Sequence, residues 1–297
     1  FPIVLHGSSS VPQEYVDIIN KFVFKVSLPV LLFKDIATTP IRDAFDPKFV
    51  IFCMVGTTIM FMGIWALTTI FMKDKSMVGA FTQASARGSA AVLGIAFVQN
   101  IYGNSGMTPL MIVSAVPLYN IYSVIILTFC ANNQDHSDKA ATIKRAFKNI
   151  LTNPIILGIA AGVPFSLLNI ELPPLVLKTV TNVAQTATPM ALLAVGAGFE
   201  GRKAIKKLKP TMIATFIKLV ALPAIYFPFA IAMGFRESAL VAILIMVGSP
   251  TTVTCYIMAK NMGNDGVLSS SIIVMATLLS SVTLTFWIFL LKSMGLI

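Results

Sequence analysis

The chain has 297 residues, 56% of them hydrophobic and 11% charged, with a mean hydropathy of +0.85. Water-soluble domains carry about 25% charged residues, so the polar surface needed for a soluble fold is missing and lipid must cover most of the outside. The net charge of +10 is concentrated in a few short loops, where it orients membrane spans and does not form a nucleic-acid-binding face.

A span needs about 20 apolar residues, which leaves room for about ten spans, short loops and no soluble domain of ordinary size. Apolar runs between breakers place the spans in chain order. Span 1 is a stub at 1–7, too short to cross. The chain opens at Phe1 without a methionine, and the stub is expected to be an incomplete N-terminal helix and not a signal peptide. Span 2 lies at 14–37, span 3 at 48–72, span 4 at 77–100 and span 5 at 108–131. Span 6 lies at 151–168, span 7 at 174–198, span 8 at 210–233, span 9 at 238–260 and span 10 at 266–292. The polar stretch 132–149 reads as a solvated cytoplasmic connector. The expected fold is thus all-α and polytopic, with a first half at 1–131, a linker at 132–149 and a second half at 150–297.

Cations on alternate sides set the orientation. One side carries Lys73, Lys75, Lys139, Lys144, Arg145, Lys148, Arg202, Lys203, Lys206, Lys207, Lys209 and Lys260; the other carries mainly Arg42, Lys48, Arg236 and Lys292. The richer side is expected in the cytoplasm, which with ten spans puts both termini outside the inner (plasma) membrane. Cys53, Cys130 and Cys255 are scattered through apolar stretches. They suggest neither a metal site nor a disulfide framework, and no cofactor is expected.

The halves match at an offset of 160 residues. Gly88-Ser89 corresponds to Gly248-Ser249, Gly103-Asn104-Ser105-Gly106 to Gly263-Asn264-Asp265-Gly266, and Pro29 to Pro189. Upstream the frame drifts, with Pro2-Ile3-Val4-Leu5 resembling Pro154-Ile155-Ile156-Leu157 at offset 152. A unit of five spans is odd, so its second copy enters the membrane from the opposite side. That is the inverted repeat of secondary transporters, whose site lies near the midplane at interrupted helices.

Two spans carry the marks of interruption. Span 4 contains Arg87-Gly88-Ser89-Ala90, and span 9 contains Gly248-Ser249-Pro250-Thr251-Thr252-Val253-Thr254-Cys255. Glycine permits unusual backbone and proline removes a hydrogen bond. A break inside the membrane exposes N–H groups at a positive dipole end, which suits an anion. Ser89, Thr251, Thr252 and Thr254 add hydroxyl donors, and Arg87 can hold a carboxylate or lock the break to a carbonyl. The same small residues also allow close helix packing. Asn120, after Pro117, is a candidate polar wall of the cavity. Asp17, Lys21 and Lys25 share one face of span 2 and can form ion pairs or serve coupling, while Lys178 and Lys218 read as snorkelling or packing residues.

These landmarks resemble the auxin efflux carrier family, which includes plant PIN-type carriers and bacterial carriers of malonate and similar acids. The resemblance spans nearly the whole chain. Its pieces are Leu28-Pro29-Val30-Leu31-Leu32-Phe33, the stretch from Gly94-Ile95 to Tyr102-Gly103, Asn153-Pro154, and Pro250 followed by Ala259-Lys260. It implies ten helices in a bile-acid sodium symporter-like fold with crossed, broken helices 4 and 9. It also implies an elevator-like core moving against a scaffold of helices 1, 2, 6 and 7, and a homodimer formed through that scaffold. The family's site beside the crossover maps to Ser89, Ala90, Gly94, Ile95 and Ala96, and to Ser249, Pro250, Thr251, Thr252, Thr254 and Cys255. Plant carriers place proline where this chain has Ala96 and Cys255, and an Asn-Thr pair where it has Ser89-Ala90. Auxin is therefore not carried over, and a small mono- or dicarboxylate is the expected substrate class.

Two alternatives stay open. A sodium-coupled symporter of the bile-acid type would need acidic or amide ligands near the breaks, and neither span 4 nor span 9 has a carboxylate there. A membrane sensor could borrow the same fold. An enzyme is not expected, because there is no HExxH pattern. The GxGxxG match at 196–201 ends a span and lacks a strand–turn–helix context.

Overall fold

The computed structural model describes residues 12–38, 46–131, 139–168 and 170–297. The expected span 1, and with it the Pro2–Leu5 correspondence, lies outside the described residues. Those described form helices, and their extended backbone pairs at a single isolated bridge.

Helix α1 (Gln13–Phe22) passes through a π-helical turn, Val23–Ser27, into α2 (Leu28–Ala37). Pro29 has no N–H for the carbonyl four residues back, and the wider π turn absorbs the missing bond. α3 (Pro47–Phe71) starts on the Asp46 carboxylate, which accepts from the Lys48 and Phe49 N–H groups. After a 3₁₀ turn at Lys75–Met77 come α4 (Val78–Ala86) and α5 (Ala90–Tyr102), the two pieces of span 4. α6 (Thr108–Phe129) follows. The stretch expected as a plain connector is helical over its described part, as α7 (Lys139–Leu151). Its charged and apolar residues alternate with helical spacing.

In the second half, α8 (Pro154–Leu167) starts on an Asn153 cap. α9 (Pro174–Gln185) and α10 (Ala187–Ala197) divide span 7 at Thr186, ahead of Pro189. A short α11 (Gly201–Lys206) leads to α12 (Leu208–Phe216), a second π turn at Ile217–Ala221, and α13 (Leu222–Ala232). Here Pro223 leaves the Leu219 carbonyl without its helical donor, and the Trp287 indole N–H donates to it at 2.9 Å. Span 9 divides into α14 (Glu237–Gly248) and α15 (Thr254–Asn261), and α16 (Gly266–Ser293) closes the described chain.

Four helical stretches among the described residues are long and apolar enough to cross a membrane: Pro47–Phe71, Thr108–Phe129, Leu208–Ala232 and Gly266–Ser293. Their outward faces stay apolar. Leu278, Val282, Phe286 and Phe289 of α16 are all more than half exposed, as lipid-facing residues must be. The broken helices form the centre. Every residue of α4 is buried, as is every residue of α14 from Ala239 on, and α3, α6, α12, α13 and α16 pack around them.

A second close packing joins α8 to α2. A Cβ on Gly158 would lie 2.5 Å from the Pro29 carbonyl oxygen, and one on Gly162 would lie 2.9 Å from that of Phe33. The GxxxG step therefore brings two backbones together.

Candidate functional site

Both broken helices open at their small-residue clusters, and the openings meet. α4 ends at Ala86, Arg87 is extended, and α5 begins at Ala90. α14 ends at Gly248, Ser249 is extended, and α15 begins at Thr254. The two connections lie antiparallel. Gly88 bridges to Thr251, and the Ser89 N–H donates to the Pro250 carbonyl at 2.9 Å. The lack of a side chain at Gly88 leaves room for the Ser249 hydroxyl, which an added Cβ would displace. The Thr251 hydroxyl locks the crossing by donating to the Ala84 carbonyl at 2.7 Å.

Two helix C-termini and two helix N-termini therefore converge. The N-termini of α5 and α15 have no side-chain cap, and each presents a positive dipole end; in α15 the Cys255 and Tyr256 N–H groups already donate to the Thr252 and Val253 carbonyls at 3.0 and 3.2 Å. Ser89, Thr252 and Val253 around them are half-buried, and Thr254 approaches Thr252 at 3.4 Å. The C-termini are treated differently. Lys218 Nζ donates to the Ala86 carbonyl at 2.9 Å and reaches the Met246 carbonyl at 3.4 Å, while the Tyr119 hydroxyl donates to the latter at 2.8 Å.

Arg87 is 6% exposed. One guanidinium nitrogen donates to Asn120 Oδ1 at 2.8 Å and the other to Met258 Sδ at 2.7 Å. Asn120 is held in turn by its amide donating to the Val116 carbonyl at 2.9 Å. The ion pairs among the described residues involve neither Arg87 nor Lys218. Two buried basic side chains thus stand beside the crossing. A narrow cavity of about 30 Å³ runs between α2 and α6 beside this wall, lined by Leu32, Asp35, Ile112, Val116 and Pro117 among others.

The expected site residues fall into groups. Arg87, Ser89, Asn120, Ser249, Pro250, Thr251, Thr252, Thr254 and Cys255 gather at the crossing. Ala90 is buried there at the start of α5, whereas Gly94 sits a turn further on, where a Cβ would lie 2.7 Å from Thr108. Ile95 and Ala96 stand on the exposed side of α5. Asp17 lies elsewhere and pairs with Lys260 of α15 at 2.6 Å; Lys21 and Lys25 are exposed.

Lys218 is the residue that sequence reading undervalued, since it is fully buried and does not snorkel. The signal was its position. It lies ten residues from the start of the Leu208–Ala232 stretch, about 15 Å along a helix, too deep for its ammonium to reach water.

The family model described as "Membrane transport protein" matches residues 4–288. The chain is also similar to a protein of Rhizobium meliloti (strain 1021) named "Putative malonate transporter", with 25% identity over 290 residues that cover 95% of this chain and 89% of that one. The apolar spanning helices and a match over nearly the whole length place the chain in the membrane transport protein family, that of the auxin efflux carriers.

Proposed function

We propose that this chain is a secondary carrier of small organic anions, mono- or dicarboxylates, in the inner membrane. The observation that carries this reading is the pairing of buried Arg87 with two uncapped helix N-termini at one crossing. A guanidinium can hold a carboxylate through two parallel hydrogen bonds, and the positive dipole ends of the helix N-termini can attract a second. The name of the Rhizobium relative supports a dicarboxylate, malonate, as the first acid to test.

Transport would follow an elevator-type alternating-access mechanism. Among the described residues, 12–131 and 170–297 run through the same order of elements: an interrupted helix, a long helix, a broken helix and a long helix. Gly103 and Gly263, 160 residues apart, both adopt left-handed backbone with φ of 74° and 70° after α5 and α15. These correspondences support ten helices in two inverted repeats. The core would contain α3–α6 and α12–α16, and the scaffold α1, α2 and α8–α10. The scaffold would also carry a homodimer contact, and both termini would face outside.

Equilibrium binding of labelled malonate to purified protein tests the site, with competition by unlabelled mono- and dicarboxylates. Saturable binding that is lost in Arg87→Ala is the expected result. Binding that Arg87→Ala leaves intact would move the site away from the crossing.

A further inference from the structure

Carriers built on broken helices often use half-helix C-termini to hold a coupling cation, because unpaired carbonyls and negative dipole ends converge there. In this chain a side chain already stands at that position. The carbonyl of Ala86, the last residue of α4, and that of Met246, two residues from the end of α14, both face Lys218 Nζ. Lys218 comes from the π turn at Ile217–Ala221, which breaks the α-helical register just where the side chain enters. A Cβ on Gly88 would lie 3.0 Å from the ammonium and 3.1 Å from its Cε, so the glycine makes room for it. The residue is fully buried, and no ion pair among the described residues neutralises it.

We propose that the Lys218 ammonium is a built-in cation, standing between the two half-helix C-termini where another carrier would bind sodium. This rests on the carrier reading above. The crossing is then divided by charge. Its C-terminal ends are occupied by the Lys218 side chain, and its N-terminal ends are left for the substrate anion. Substrate binding needs no sodium, and the position of Lys218 is a latent cation site.

Thermal unfolding of the purified protein tests this without any transport, so its outcome is independent of whether uptake is observed. Wild type is compared in sodium chloride and in choline chloride at equal ionic strength, and the same midpoint is expected in both. Lys218→Ser removes the donor to the Ala86 carbonyl, leaves the Met246 carbonyl with the Tyr119 hydroxyl, and leaves space. Its midpoint is expected to fall by about 5 °C in choline and to recover saturably as sodium is added. Lys218→Met fills the space without charge, and its lowered midpoint should ignore sodium. Sodium-specific, saturable stabilisation of wild type would overturn the proposal. So would a serine variant as stable as wild type, or one whose loss sodium relieves no better than in the methionine variant. If the serine variant does not fold, the wild-type titration alone decides.

Discussion

Arg87 Nη2 donates to Asn120 Oδ1 across 2.8 Å, and so joins the connection inside one broken helix to the proline-interrupted α6. Three residues before Asn120, Pro117 removes a helical hydrogen bond. The amide that receives the guanidinium is anchored on the Val116 carbonyl in that same turn. The arginine is thus held by an amide and a thioether, and none of the ion pairs among the described residues includes it.

Replacing Arg87 by alanine should lower uptake at least tenfold, since a charge-assisted hydrogen bond to a ligand contributes roughly 1.5–3 kcal/mol. Arg87→Lys keeps the charge and loses the fork, so its activity should fall between the two. Surface expression and the elution volume of the purified protein should stay as in wild type. Wild-type uptake by both variants would remove Arg87 from the site.

Thr251→Val removes the hydroxyl that donates to the Ala84 carbonyl. The loss should cost about 1 kcal/mol, seen as a thermal midpoint about 2–4 °C lower, and uptake should fall without loss of membrane insertion. An unchanged midpoint would mean that the bond does not hold the crossing together.

Gly158→Val pushes a side chain into the Pro29 backbone and should destabilise by about 1–3 kcal/mol. Gly63 has nothing within 4 Å of an added Cβ. Gly63→Ala in the same assay should therefore match wild type or exceed it slightly, through helix propensity. Equal midpoints for the two variants would contradict the backbone-to-backbone packing of α8 on α2.

Asp17 and Lys260 join α1 to α15 at 2.6 Å, next to the Asn261 amide, which donates to the Asn20 carbonyl at 3.3 Å. In the proposed movement this pair must part once per cycle. Charge reversal by Asp17→Lys should slow uptake, and the double variant Asp17→Lys with Lys260→Asp should restore part of it. A disulfide between cysteines at 17 and 260 should block uptake until it is reduced. Full uptake with the disulfide in place would rule out relative motion of these helices.

Much of this architecture was legible in the residues. Arg87-Gly88-Ser89 and Ser249-Pro250-Thr251 point to broken helices, because glycine and proline inside a long apolar run weaken it and the two clusters fall 160 residues apart in matching halves. The π turns were not legible. Pro29 and Pro223 mark where a hydrogen bond is lost, but a kink, a break and a π turn all satisfy that loss, and neighbours such as Trp287 select among them. Asp17 was read with Lys21 because helical spacing relates residues on one helix; its partner Lys260 lies 243 positions away, beyond what local periodicity can report. Lys218 was misjudged for a related reason. Burial depth follows from where a span begins, while the two carbonyls that receive its protons come from other helices.

The most direct test of the central claim is uptake into proteoliposomes of purified protein, using labelled small carboxylates with sodium and with proton gradients applied in turn. Saturable uptake of a small dicarboxylate, indifferent to sodium and lost in Arg87→Ala, is the predicted result. Uptake of no carboxylate under any gradient, by protein shown to be folded, would contradict it.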